Sequence, residues 1–343
     1  MRRTLVTGLL STAILAAAPA LAQDVLAPTP GGFPSEAIVL MVIDEPGSAD
    51  SVYANQLVEA AQPFSPVPIR IEHREDFSNF GTWEAIRWMI DQGPRANDGS
   101  VVFVYTVPGS VIDLLVIDME TELEVGLDDL NVVLSTEQLP YFIHQRADAP
   151  WGDTMEDFID HARENPGEIR YISGGPGGAQ DAAFQWYLRQ FDVTVNEIIG
   201  GGGPARALTV AAGEGDVTLS PPDLIMPHFE GGKVDVLMMS GDGVSPAPWE
   251  DVPNSASLGI TADPWNQTRG IAVPPDTPEE NRLWLEQLFT TAASQPDYEA
   301  KRLQVPGLQT KLLDAAGTIA LAQRAYDESL PLMRDMGVYW GDQ

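Results

Sequence analysis

Short apolar segments alternate with longer amphipathic segments along the first third of the chain. Residues 37–43, 67–71 and 100–106 combine apolar and β-branched residues in short runs that are typical of buried strands. Residues 50–61 and 82–90 instead carry apolar residues at the three- and four-residue spacing of a helix. Because strands and helices alternate, the pattern predicts βαβ units and a mostly parallel sheet.

The same alternation continues through the rest of the chain. A helix opens at the glycines of 200–204 and runs to about 212, and Thr154 is a suitable N-cap for another. A mature chain of roughly 320 residues exceeds the size at which one core usually divides, so two domains are expected. The remaining predicted strands are 131–134, 141–144, 169–173, 216–219, 234–240 and 269–273, and the remaining predicted helices are 154–164, 179–191, 277–294 and 315–336.

The first residues have the layout of a secretory signal peptide, which we assign to residues 1–22. Arg2 and Arg3 form a charged start, residues 5–18 form an apolar run, and 20–22 read Ala-Leu-Ala, a small-x-small cleavage site. The apolar run is short of the about 20 residues that span a membrane. We therefore expect export to a periplasm and a mature protein that starts at Gln23.

The chain is strongly acidic, with 50 Asp and Glu against 19 Lys and Arg and a formal net charge of −31. This balance argues against nucleic acid and anionic membrane surfaces as partners, because both require a basic face. The simplest interpretation of the acidity is a solvated surface suited to salty surroundings. Salt screens charges beyond roughly 8–10 Å, so an anion could still bind where the protein is locally positive.

Signatures of catalysis and of metal binding are missing from the sequence. The chain has no cysteine, which excludes disulfides, thiolate nucleophiles and iron–sulfur clusters. Its four histidines are scattered without H-E-x-x-H spacing, and neither a G-x-S-x-G elbow nor a P-loop is present. We expect a protein that is not an enzyme and that binds no cofactor and no metal.

Three glycine-containing turns precede predicted helices, at 46–50, 173–178 and 200–203. Backbone N–H groups at a helix N-terminus bind anions without a basic side chain. Each turn alone is more simply an ordinary strand–helix connector. Ligands of open α/β sheets bind beyond the carboxyl ends of the strands, where such turns lie, and three of them together favour an anion site.

Several segments, in order along the mature chain, resemble the substrate-binding proteins of tripartite tricarboxylate transporters, the Bug or TctC-like family. Residues 33–38 resemble the family's opening Y-P-x-K-P-I, and 166–173 resemble P-G-K-L-x-Y-x-S, with Gly175 and Gly177 following in register. Further matching segments are 47–50, 202–205, 213–216, 227–234, 251–253 and 270–278.

The resemblance implies a periplasmic binding protein of type II-like fold, with two α/β lobes joined by a hinge and a ligand cleft between them. We place lobe 1 at 23–130 plus 239–343 and lobe 2 at 131–238. Such proteins capture a small carboxylate and deliver it to a membrane permease of two subunits. The resemblance therefore implies a monomeric solute receptor.

The cleft implied by the resemblance would be lined by the loops that carry the glycine turns. Ser48 and Ser173 would donate hydroxyls, Asp50 would orient its loop or accept from a ligand hydroxyl or amine, and Arg206 or Arg269 could add a charge-assisted contact. The predicted ligand-binding residues are Pro46, Gly47, Ser48, Ala49, Asp50, Thr106, Val107, Ser173, Gly174, Gly177, Gly178, Ala179, Gly202 and Gly203.

Departures from the family pattern lie in the same loops. The first loop is acidic at 44–46, residues 73–79 lack the family's glycines, and 198–203 lack its aromatic and lysine. Residues 177–181 read Gly-Gly-Ala-Gln-Asp where the family has G-x-S-x-H, and we expect the ligand preference to have changed at Gly178, Ala179 and Asp181. Two alternatives remain on sequence alone: a receptor that presents a solute to a sensor kinase, and an exported enzyme on the same scaffold.

Overall fold

The computed structural model describes residues 24–44, 46–74, 76–77, 81–93, 97–175, 177–261 and 263–343. The predicted signal peptide, 1–22, lies outside the described residues, as do Glu45 of the first loop and parts of the 73–79 segment. Within the described ranges, no helix is long and apolar enough to cross a membrane.

Eleven strands and eleven α-helices are named here in chain order. The strands are β1 Ile38–Val42, β2 Ile69–His73, β3 Val101–Val107, β4 Asn131–Leu139, β5 Phe142–Arg146, β6 Arg170–Ser173, β7 Asn196–Ile199, β8 Val217–Ser220, β9 Val234–Met239, β10 Gln267–Val273 and β11 Gln309–Asp314. The helices are α1 Ala49–Ala61, α2 Thr82–Gln92, α3 Gly109–Val116, α4 Met119–Leu123, α5 Met155–Glu164, α6 Ala179–Phe191, α7 Gly203–Ala211, α8 Pro222–Glu230, α9 Glu279–Ala293, α10 Pro296–Arg302 and α11 Ala315–Asp335.

The strands form two sheets, and each sheet with its helices is one lobe. The first lobe has six strands in the order β11-β4-β10-β3-β1-β2, and the second has five in the order β7-β6-β8-β5-β9. β1 pairs in parallel with β2 and β3, but β10 runs antiparallel to both β3 and β4, and β5 runs antiparallel to β8 and β9. The three strands of the first third are therefore parallel as predicted, whereas β5 and β10, which follow the crossovers between lobes, run antiparallel to their neighbours.

The first sheet is covered by helices on both faces, since successive strand residues point to opposite sides. Ile38, Leu40 and Val42 of β1 pack with α1 and α9 in one apolar cluster. Met41 between them and Phe103 of β3 pack with α2 and α3 in a second cluster on the other face. The buried, continuously apolar β1 that the sequence pattern predicted follows from this sandwich.

The second sheet is built on the same principle. Tyr171 of β6 packs with α5 and α6 in one cluster, whereas its neighbour Ile172 packs with Val210, Ile225 and Trp249 on the opposite face. Because side chains pack on both faces of β6, the turn that follows this strand is fixed between two packed layers. The position of this turn at the carboxyl end of β6 is what brings the N-terminus of α6 to the first lobe.

The exact lobe boundaries remain a prediction. β4, which we assigned to lobe 2 from the sequence, pairs with β10 and β11 in the six-stranded sheet. β5 then pairs with β8 and β9 in the five-stranded sheet. We therefore propose that the first crossover between lobes falls at 140–141, and that the return crossover follows Met239 at the end of β9.

The C-terminal helix α11 packs against both lobes. Ala322 and Ala325 lie in the apolar cluster of α2, β3 and α3. Leu332 and Met333, two turns further on, lie in the cluster that joins α5, α6 and β8 of the second lobe to Ile112 and Leu115 of α3. Pro331 is inside the helix between these two sets of contacts.

A cluster of buried charges ties four elements of the first lobe together. Glu137 of β4 accepts hydrogen bonds from Arg302 of α10, with an Nε–Oε2 distance of 2.7 Å, and from Arg269 of β10. Arg269 also donates from Nε to Asp50 of α1 at 2.7 Å, and Arg302 donates to Gln56 at 2.9 Å. Burial disfavours the charged form of Arg269, but Asp50 and Glu137 outweigh it and raise the pKa of the guanidinium.

We expect Glu137→Gln to lower the free energy of unfolding by about 3 kcal/mol or more, because it leaves buried guanidinium groups with one carboxylate fewer. Urea unfolding of both proteins measures the difference. The matched control is Glu59→Gln, which removes the carboxylate of an exposed 2.7 Å pair with Lys301 and should cost less than about 1 kcal/mol. Equal effects of the two substitutions would show that the buried cluster contributes no more than a surface pair.

Candidate functional site

A cavity of about 290 Å³ lies between the two lobes. Larger cavities, of about 460, 430 and 410 Å³, lie around α4, around α10 and beside β1 and β2. The 290 Å³ cavity is lined by described residues of both lobes. Its lining residues are Ile43, Asp50, Gly81, Thr82, Val104, Tyr105, Thr106, Gly109, Ser110, Asp113, Gly177, Gly178 and Ala179.

The second lobe contributes the N-terminus of α6 to this cavity. Gly175 and Gly177 have φ of 100° and 93°, which glycine adopts at little cost, and they turn the chain from β6 into the helix. Gly178 is the N-cap with φ −83° and ψ 145°, and having no side chain it cannot satisfy the first backbone N–H groups. These donors, and the positive end of the helix dipole, lie at the wall of the cavity.

Gly177 also packs closely against the first lobe. A Cβ on this residue would come within 3.1 Å of Cγ1 of Val116 in α3. The second-lobe turn is therefore seated directly against a first-lobe helix. The cavity lies beside this contact, between the start of α3 and the start of α6.

The first glycine turn contributes less to the cavity than the sequence suggested. Pro46, Gly47, Ser48 and Ala49 do not line it, and Pro46, Gly47 and Ala49 are exposed. The Ser48 hydroxyl accepts the Ser51 N–H at 3.1 Å and so caps α1.

Asp50 does line the cavity, and its carboxylate is held by Arg269. This contact agrees with the expectation that Asp50 orients its own loop. Arg269 itself is buried within the charge cluster of the first lobe and does not line the cavity.

In the second lobe, Ser173 and Gly174 lie behind the turn. The buried Ser173 hydroxyl donates to Glu197 at 2.5 Å and accepts the Gly175 N–H at 3.0 Å. Its one proton is thus used within the protein, where it fixes the turn. Gly174 packs against Arg206, because a Cβ there would come within 2.5 Å of Nη1.

Arg206 fills the space between the two glycine turns of the second lobe. It is buried, donates from Nη2 to Gln180 of α6, and its Nε has no hydrogen-bond partner among the described residues. Gly202 and Gly203, which begin α7, lie beyond Arg206 and do not line the cavity, and Val107 is buried in the core of the first lobe. Of the predicted site residues, the structure brings together Asp50, Thr106, Gly177, Gly178 and Ala179.

The structure adds polar residues that the sequence reasoning missed, from α2 and α3. Thr82, Ser110 and Asp113 line the cavity. Burial raises the pKa of the Asp113 carboxyl to about 6. The signal that could have found them was Pro108-Gly109-Ser110, a turn that follows β3 and opens a helix just as the other glycine turns do.

Asp181 lies in the first turn of α6, just behind the cavity wall. It is fully buried, and no hydrogen bond of ordinary geometry reaches its carboxyl oxygens from the described residues, although the Tyr171 hydroxyl and the Arg206 charge lie near enough to favour the ionised form. Burial and the nearby Glu197 charge raise the pKa of this carboxyl to about 7. Asp181 therefore stores unfavourable free energy near neutral pH directly beside the site.

A comparison with protein families finds a match over more than half of the chain. The family model described as "Tripartite tricarboxylate transporter family receptor" matches residues 104–338. A search of curated protein sequences finds no significant match.

This chain aligns with nearly the whole length of several solved structures of similar fold. A TctC solute-binding protein from Polaromonas is 20% identical, with 88% of this chain and 99% of that chain covered and a TM-score of 0.72. MatC from Rhodopseudomonas palustris with bound malate is 18% identical, with 87% and 99% covered and a TM-score of 0.61. Rpa4515 of the same organism with adipate is 17% identical, with 90% and 99% covered and a TM-score of 0.64. The predicted two-lobed α/β binding-protein fold is thereby confirmed.

We expect Asp181→Asn to stabilise the protein relative to the wild type more at pH 8 than at pH 4. The folded-state pKa of Asp181, about 7, is raised from an ordinary value of 3.8. Ionisation of Asp181 therefore lowers the free energy of unfolding, by its full amount above about pH 7, and this loss disappears as the pH falls below about 4. The difference in unfolding free energy between variant and wild type should grow with pH by up to about 4 kcal/mol.

Urea unfolding at pH 4, 6 and 8 measures this growth. Glu168→Gln, at an exposed carboxylate of the same lobe, is the control and should show a flat difference. A flat difference for Asp181→Asn as well would mean that the carboxyl is not destabilised in the folded state.

Proposed function

The chain belongs to the tripartite tricarboxylate transporter receptor family, and on that premise we propose that it captures a small carboxylate outside the cytoplasm for delivery to a membrane permease. The solved structures of similar fold include one with malate and one with adipate. Capture in the periplasm, delivery to a two-subunit permease and action as a monomer are parts of the same proposal. The receptor role is the one that the family and the cavity between the lobes both support.

The observation that carries the proposal is the uncapped N-terminus of α6 at the wall of the cavity. A ligand carboxylate placed there would accept hydrogen bonds from the first N–H groups of the helix, near Gly178 and Ala179. The helix dipole would add to them. Such a site binds an anion within a protein of net charge −31 because its donors act locally, within the reach that salt leaves to electrostatic forces.

The first lobe would complete the site with hydroxyl groups. Thr82 and Thr106 line the cavity from the start of α2 and the end of β3, and hydroxyls can donate to a carboxylate or accept from another polar group. Ser110 lies beside them, and its hydroxyl donates to the Thr106 carbonyl at 2.8 Å. We propose that the lobes close on the ligand by a hinge motion at the crossovers.

The remaining predicted residues would support the site without touching the ligand. Ser48 caps α1, so that Asp50 is presented at the cavity. Ser173 and Gly174 fix the turn before α6 through Glu197 and Arg206. We propose that the ligand contacts Asp50, Thr106, Gly177, Gly178 and Ala179, and that the other predicted residues position them.

Isothermal titration calorimetry against mono-, di- and tricarboxylates, with neutral sugars as comparison solutes, tests the proposed function. We expect saturable binding of at least one carboxylate at a stoichiometry of one and no binding of the sugars. Binding of a neutral solute with no carboxylate bound would refute the claim that the receptor recognises an acid.

We expect Ala179→Pro to weaken carboxylate binding by roughly 10-fold or more, because it removes one N–H donor to a charged acceptor. Ala179 is the first residue of α6, where proline is tolerated, and the preceding Gly178 already has the extended conformation that proline requires. Calorimetry measures the loss and circular dichroism checks the fold.

The matched control is Ala315→Pro, at the first residue of α11 after an extended Asp314. It makes the same substitution at a helix start that does not line the cavity. The control should leave carboxylate affinity unchanged. If Ala179→Pro bound as well as the wild type, the N-terminus of α6 would not be the carboxylate site.

A further inference from the structure

The cavity between the lobes contains a carboxylate that no cation of the protein balances. Asp113 lies in α3 and lines the cavity, and within the described residues it forms no ion pair. Asp113 is half-buried at the cavity wall, and burial is what raises the pKa of its carboxyl. A charge in such a place is costly unless a partner of opposite charge joins it.

The second carboxylate of the cavity, Asp50, is in a different situation. Its Oδ1 lies 2.7 Å from Nε of Arg269, so its charge is matched inside the protein. No lysine, arginine or histidine is among the described residues that line the cavity. Among the described residues that line the cavity, the unbalanced negative charge is therefore that of Asp113.

The opposite wall of the same cavity is positive. Gly177, Gly178 and Ala179 bring the N-terminus of α6 to it from the second lobe, and an uncapped helix start carries about half a positive charge. One small cavity thus presents a negative group from the first lobe and a positive dipole from the second. A plain carboxylate would satisfy the helix but would also meet the like charge of Asp113, which disfavours it.

Resting on the proposed function, we propose that the ligand is a small zwitterion, a carboxylate that also bears a protonated amine, as an amino acid does. Its carboxylate is held at the N-terminus of α6, and its ammonium group is held by the carboxylate of Asp113. The volume of about 290 Å³ is at the lower end of the range for ligand pockets, roughly 300–1,000 Å³, and suits a ligand of this size. Asp113 is then the residue that decides between carboxylates with and without an amine.

The test compares matched ligand pairs that differ only in the amine. The twenty standard amino acids are screened by thermal shift together with the deaminated acids, including aspartate with succinate, glutamate with glutarate and alanine with propionate. Calorimetry then measures the pairs that bind. We expect at least one amino acid to bind roughly 10- to 100-fold more tightly than its deaminated partner, which is the range for a hydrogen bond to a charged group.

The Asp113→Asn variant tests the assignment of the residue. It should lose most of this preference by binding the amino acid more weakly, while affinity for the deaminated acid stays equal or rises. Asp160→Asn removes one negative charge at an exposed position of α5 and should keep the wild-type preference. Because Asp113→Asn removes a poorly hydrated charge, we expect it to fold, and Asp113→Ala serves as a second variant.

Each outcome decides between the claims. If carboxylates without an amine bind the wild type as tightly as their amino acid partners, the zwitterion inference is wrong while the proposed carboxylate receptor stands. A preference that survives both Asp113 variants overturns the role of Asp113. If no carboxylate of either kind binds, the proposed function and this inference fail together.

Discussion

The guanidinium group of Arg269, buried between Asp50 and Glu137, is the interaction on which the cavity and the first lobe both depend. Through Glu137 it reaches Arg302 and α10, and through Asp50 it fixes the start of α1. It also determines the charge of the site. Without Arg269, Asp50 would bring a second unbalanced carboxylate to the cavity, and an anion would be excluded from it. The same contact thus holds strands to helices and sets the local electrostatics at the site.

In the described part of the chain, three of the protein's 19 basic side chains are buried inside its own structure. Arg206, Arg269 and Arg302 are all buried, and each is committed to a neighbour within the fold. The cavity relies instead on backbone donors at the start of α6. Backbone N–H groups are fixed by the helix itself and lose no side-chain entropy when a ligand binds. A strongly acidic surface and an anion site are therefore compatible in one small protein.

The sequence pattern predicted the strands and helices in which apolar residues recur at regular spacing. It missed strands with buried polar residues and strands that are exposed to solvent. The β1–α1 unit, β6 and α6 appear close to where the pattern placed them. β4 was predicted to end at 134, but it continues to Leu139, because the polar residues Ser135 to Gln138 are buried and find hydrogen-bond partners inside the fold. β11 was missed because it is a largely exposed edge strand in which apolar and polar residues do not alternate. α3 was missed because its apolar residues directly continue the apolar run of β3. Asp113 could not be singled out among 50 acidic residues until the fold placed α3 at the cavity.

The position of Pro331 in α11 has a mechanical consequence. A proline inside a helix removes one backbone hydrogen bond and loosens the helix at that turn. Here the loosened turn separates Ala325, which is anchored in the first lobe, from Leu332, which is anchored in the second. A straight and rigid helix at this place would resist any change in the angle between the lobes. With its loosened turn between the two anchors, α11 can bend where it passes from one lobe to the other, so that this helix would stay joined to both lobes during the proposed hinge motion.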